Sequence, residues 1–230
     1  MKKIELEVPS SLESITLGQY QKYLKVAENN KGDEYNDFLN KKLIEIFCGV
    51  NLAEVESIPV VEFDKVLGII QGAFEKTYGL TRRFKLLDVD MGFIPKLDDM
   101  SLGEYVDVEG SISDWQNIHK AMAVLYRPVN AVMKDKYTIA PYQPSEEVKM
   151  LMKEMPLSVV MGAVVFFYNL GIELSRASLS YLDQKMSKAQ TSQLKEALER
   201  NGDGISQFMD SLKETSQNLI KLQENPFTSV

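Results

Sequence analysis

The chain states one phrase twice. Val8–Tyr20 reads VPSSLESITLGQY and Ile94–Tyr105 reads IPKLDDMSLGEY. Aligned without a gap, Leu12-Glu13-Ser14-Ile15-Thr16-Leu17-Gly18-Gln19-Tyr20 faces Leu97-Asp98-Asp99-Met100-Ser101-Leu102-Gly103-Glu104-Tyr105, 85 positions apart (97 − 12). The leucines, the glycine and the tyrosine are identical. Internal self-similarity of this kind constrains a fold before any local propensity does. Both copies are capping boxes: the Thr16 or Ser101 hydroxyl accepts from the N3 amide, and the Gln19 or Glu104 side chain reaches back. Ile15 and Met100 precede the caps, placed to staple against Tyr20 and Tyr105. Each copy therefore prescribes an extended segment and then a helix that starts at a fixed angle. A second amphipathic helix follows each (Glu34–Cys48; Asp114–Tyr126), and then an Ile-Pro or Met-Pro step opens a third (Pro59; Pro156). The pattern reads as a divergent duplication. Leu17 and Leu102 become the expected anchors of two cores, where an aspartate would unfold its unit by burying an unpaired charge.

Around these phrases the periodicity switches between two and three to four residues. Lys2–Val8 alternates apolar and polar side chains, the mark of a half-buried strand. Arg83–Leu86 and Gly92–Ile94 read as two strands about a turn at Asp88–Met91, expected to join the N-terminal strand in a three-stranded sheet. Ala131–Met133 and Tyr137–Ile139 read as a second hairpin about Lys134–Lys136. Phe38, Leu39, Leu43, Ile46 and Phe47 recur at helical spacing, as do Phe63, Val66, Leu67, Ile70 and Phe74 after Pro59. Asn51–Ser57 holds a short helical turn. Ser145–Glu154 is a charged helix, and the apolar helix from Pro156 runs to about Lys185. Gly202-Asp203-Gly204 is expected to break the chain before a last amphipathic helix. The expected fold is α+β, mainly α-helical: a first repeat unit over 1–80, a second over 81–185, and a C-terminal helical extension and tail over 186–230.

Composition excludes more than it assigns. The 230 residues, 44% hydrophobic and 26% charged, suffice for one large or two small domains. A net charge of −7 disfavours nonspecific nucleic-acid binding. The single cysteine, Cys48, allows no internal disulfide and fits a reducing compartment, and no leader-like h-region opens the chain, so a cytosolic polypeptide is expected. Leu157–Ile172 carries no formal charge over sixteen residues, but its length, polar side chains and two glycines suit a buried helix better than a membrane span. His119 reads as structural. The acidic residues from Asp88 to Asp114 lack the glycine and glutamate of an EF-hand loop, and Asp98-Asp99 suits the dipole of the following helix. There is no phosphate loop and no CxxC partner for Cys48. The residues thus point to no catalytic group, no cofactor and no metal.

Apolar surface is the stronger signal. Eleven methionines, with Met150, Met152, Met155 and Met161 close together, supply adaptable contact chemistry. Ile205, Phe208, Met209, Leu212, Leu219 and Leu222 mark the last helix as a candidate partner-binding face. The phrases ITLGQYQKYL, FIPKLDDMSLGEYVDVE, DWQNIHKAMAVLYRPV and MPLSVVMGAVVFFYNLG resemble a family of small tailed-bacteriophage proteins, the tail assembly chaperones. The resemblance spans Lys3 to Leu182 and leaves out the chain from Met186 onward. It implies a non-enzymatic role in virion assembly in the host cytoplasm, with a tape-measure, tail-tube or connector protein as partner and no membrane involved. A permanent virion subunit, such as a head–tail connector, ring or neck protein built as a homo-oligomer, is the alternative.

Overall fold

Both copies of the phrase fold alike to the residue. In the computed structural model, which describes residues 6–188, 196, 199–207 and 210, a 3-10 turn forms over Leu12–Ser14 and another over Leu97–Asp99. Each ends in an extended residue, Ile15 or Met100, and hands over to a capped helix: α1 (Leu17–Glu28) after Thr16 and α5 (Leu102–Glu109) after Ser101. Both halves of each capping box are made, with Thr16 N–H donating to Gln19 Oε1 at 2.9 Å and Ser101 N–H to Glu104 Oε2 at 2.7 Å. Between the copies lie α2 (Asn36–Phe47), α3 (Leu52–Glu56) and α4 (Val60–Phe74), the last opened by Pro59, whose missing N–H is no loss there.

The strands follow a different plan from the expected one. β1 (Arg83–Leu86) and β2 (Val89–Phe93) form one hairpin, β3 (Tyr126–Met133) and β4 (Lys136–Ile139) the other, and β2 pairs with β3 to make a single antiparallel sheet in the order β1-β2-β3-β4. Leu6–Val8 belongs to no strand, so the N-terminal strand is not part of the sheet over its described residues. The first turn is tighter than expected: Leu87 and Asp88 both have positive φ, as a two-residue hairpin turn matched to strand twist requires. The helix expected over Asp114–Tyr126 is α6 (Ile118–Leu125), and Tyr126 already belongs to β3. α7 (Glu146–Leu151) and a 3-10 turn over Met152–Glu154 lead into α8 (Leu157–Lys188).

One apolar cluster takes residues from both halves of the chain, from Leu12 to Val164. Its join is short. Leu17 N–H donates to the Met155 carbonyl (2.9 Å) and Leu157 N–H to the Ile15 carbonyl (2.8 Å), an antiparallel bridge centred on Thr16 and Pro156. Around Tyr20 gather Phe74 (5.9 Å between centroids) and Trp115 (5.2 Å, edge-on). A second aromatic group, Phe93 with Tyr126 and Phe166, ties the sheet to α8. Gly162 of α8 lies so close to the backbone of Gly79 that a Cβ would run into the Gly79 carbonyl.

Burial separates the two copies. Leu17 and Tyr20 are fully buried, whereas Leu102 is 80% and Tyr105 53% exposed. The expectation that Leu102 anchors a core is therefore corrected: α5 turns Glu104 and Val108 inward instead. Leu17→Asp should abolish the cooperative melt, while Leu102→Asp should leave the melting temperature within the small change usual for surface sites, about 0.5 kcal/mol. Gly162→Ala should cost about 1–3 kcal/mol in denaturant unfolding, because the loop carrying Gly79 must move to admit the methyl group.

Candidate protein-interaction surface

The 32 residues of α8 lie in two environments. Its first turns, Leu157–Val164, are buried almost without interruption. Phe166 and Phe167 are half-buried against Phe93. Beyond them polar and apolar residues alternate in exposure: Asn169, Glu173 and Arg176 face solvent, and so do Leu174 (60% exposed) and Tyr181 (58%). The stretch Leu157–Leu182 is long and apolar enough to cross a membrane, yet half of its most apolar window is buried inside the fold. Residues 199–207 are also helical, and the ideal Cβ of Gly202 comes within 4.0 Å of Leu179. The expected break at Gly202-Asp203-Gly204 is thus corrected: no residue there has a positive φ, and the glycines continue the helix. Of the expected partner-binding face, Ile205 is half-buried within this helical segment, and Phe208, Met209, Leu212, Leu219 and Leu222 lie outside the described residues.

His119 and Glu104 make hydrogen bonds within the fold. His119 is 5% exposed, and its Nδ1 is 3.2 Å from Gln21 Nε2. Gln21 also donates to the Trp115 carbonyl at 2.7 Å, while Gln116 donates back to the Gln21 carbonyl at 3.2 Å. This reciprocal pair closes the gap between α1 and the start of α6, where unpaired amides would be costly. Glu104 joins its cap to Arg127 of β3, with Arg127 Nη1 at 2.9 Å. Burial raises its pKa, but the Ser101 hydrogen bonds and the guanidinium outweigh that and hold it below the usual carboxylate range. Cys48, half-buried at the end of α2, has its thiol pushed up to about 11 by burial. No group of three or more His, Cys, Asp or Glu among the described residues is placed to hold a metal ion.

A concavity of about 580 Å³ opens where the β3–β4 hairpin curls over the sheet. Tyr137 makes this curl: its hydroxyl donates to the Phe93 carbonyl at 2.7 Å, and its ring occupies the space a side chain at position 92 would need. Arg82, Lys96 and Lys136 line the hollow with Pro95, Met133 and a single acid, Asp135. Sequence reading missed this site, because the charges come from three separate segments and only the hairpin curl gathers them.

The buried imidazole has a pH signature. Burial first, then the charges of Lys153 and Lys120, lower the His119 pKa below its ordinary value. The fold therefore favours the neutral ring. Its contribution to stability is complete above about pH 6.5, the unfolded value, and is lost as the pH falls through the lower folded value. Melting temperature should fall more steeply between pH 7 and pH 5 in the wild type than in His119→Gln.

No protein-family model, no curated protein and no solved structure matches the chain.

Proposed function

We propose that this chain is a non-enzymatic morphogenesis protein of a tailed bacteriophage, working through protein–protein contacts as a tail assembly chaperone. The observation that supports the reading most is α8, a helix whose root is fixed in the core and whose outer half keeps apolar side chains in solvent. Such a helix offers an apolar partner helix a rigid surface. Binding there costs little ordering, since the root is already held. The working place is the host cytoplasm during assembly, and the partner is a tape-measure, tail-tube or connector protein.

Two measurements test this. Mass spectrometry of purified particles and of infected lysate should find the polypeptide abundant in lysate and absent from particles. Stoichiometric presence in particles would instead make it a ring or neck subunit. The double change Leu174→Asp with Tyr181→Asp should leave the melting temperature unchanged, since both residues are exposed, and should abolish co-purification of tail proteins. Retained capture by a folded double variant would remove α8 from the mechanism.

A further inference from the structure

The second copy of the repeated phrase keeps the backbone of the first but lacks what covers it. In the first copy, Lys153–Leu157 lies across the start of α1: Met155 and Leu157 bond to Leu17 and Ile15, and Lys153 packs over Gly18, its Cβ and carbonyl each 3.3 Å from where a Gly18 side chain would begin. Ile15 and Thr16 take extended angles there (φ −107, ψ 130; φ −84, ψ 154). Met100 and Ser101 are also extended (φ −68, ψ 130; φ −71, ψ 159), with Met100 turned by about 39° in φ from Ile15. Yet among the described residues the Leu102 N–H and the Met100 carbonyl pair with no second segment, and no atom beyond its chain neighbours and its own helix backbone lies within 4 Å of where a Gly103 side chain would begin.

The exposed side chains repeat the argument. Leu102, Tyr105 and Val106 (55% exposed) stand at i, i+3 and i+4, the spacing of a face that a helix ordinarily buries. Here that face looks outward, because Glu104 is tied to Arg127 and Val108 is buried on the opposite side. Charge completes the picture. Exposed Asp98 and Glu109 flank the stripe in sequence and Asp99 lies 3.9 Å from Lys96, whereas the first copy has Glu13 and Ser14 at the positions of Asp98 and Asp99.

We infer that Met100–Val106 is a docking site for an extended segment of a partner protein that shares the Met155-Pro156-Leu157 pattern, two apolar residues flanking a proline, but carries basic residues where this chain has Lys153-Glu154. The segment adds one antiparallel bridge at Ser101, lays its apolar side chains on Leu102 and Tyr105, and passes over Gly103. Its basic residues face Asp98 and Glu109 and compete with Lys96 for Asp99. The site rests on the reading that the chain works through protein contacts, but it is separate from the α8 surface.

The test uses the full chain and a fluorescein-labelled, end-capped peptide of residues 152–158, together with the same peptide carrying Glu154→Lys, titrated by fluorescence anisotropy. Saturable binding is expected, tighter for the more basic peptide and weakened by salt. Leu102→Asp and Gly103→Leu should each weaken it by about tenfold or more while keeping the wild-type melting temperature. The proposal is overturned by the absence of saturable binding to the wild type, or by equal binding to Leu102→Asp, which would place the peptide on the first copy in exchange with the chain's own segment. It is also overturned if the wild type forms a dimer that Leu102→Asp dissociates in sedimentation velocity, since a second copy then covers the stripe. Any of these failures leaves the α8 reading standing, because capture through Leu174 and Tyr181 is measured independently.

Discussion

Two backbone hydrogen bonds hold the architecture to its course. The bridge between Ile15–Leu17 and Met155–Leu157 sets where α1 and α8 begin, and both helices start at the leucine that makes the bond. Pro156 sits at its centre, where the ring stiffens the approach and no N–H is left wanting. From this point Tyr20 is delivered to Phe74 and Trp115, and α8 is aimed past Gly79 toward the sheet. The geometry around it admits little adjustment. Gly18 is in near contact with Lys153 and Gly162 with Gly79, so the backbone itself is packed on both sides of the bridge.

The buried polar groups mark the seams between elements. Gln21 and Gln116 exchange hydrogen bonds across α1 and the start of α6, and His119 reads the same glutamine through its Nδ1. Glu104 does comparable work between α5 and β3, satisfying a cap with one oxygen and Arg127 with the other. Each arrangement is specific because removing one partner strands the others out of water. They explain why α5 shows Leu102 and Tyr105 to solvent although its sequence copies a buried helix: the inward place is taken by an ion pair.

What could be read in the sequence was local. The capping boxes name their own partners three residues away, and the structure makes both; ahead of each, in place of the expected extended segment, stands a 3-10 turn followed by one extended residue and the cap. Mainly helical α+β architecture followed from the same kind of signal. Strand order did not, because β2 and β3 are joined across α5 and α6, and no pattern in either hairpin specifies its neighbour. The alternation at Leu6–Val8 describes a side-chain pattern, not a pairing, and those residues have none in the sheet. Leu102 escaped for a related reason: an apolar stripe looks alike whether its cover is in the same chain or another. The glycines at 202 and 204 misled because glycine permits a break without requiring one. The cationic hollow beneath Tyr137 was invisible, being assembled from Arg82, Lys96 and Lys136 only after the sheet curls.

The bridge at Thr16 and Pro156 also fixes an order in time. Leu12, Ile15, Leu17 and Tyr20 leave the ribosome about 140 residues before the segment that covers them, roughly 7–28 s at about 5–20 residues per second. For that interval the N-terminal half is a nascent chain with an unfinished apolar face. Its capping box needs no distant partner, but a helix of 12 residues is marginal alone, so α1 depends on the contacts that arrive later. Burial of α1 is therefore gated by the emergence of Met155–Val164, and a ribosome stalled before Pro156 would display a chain still open along that segment.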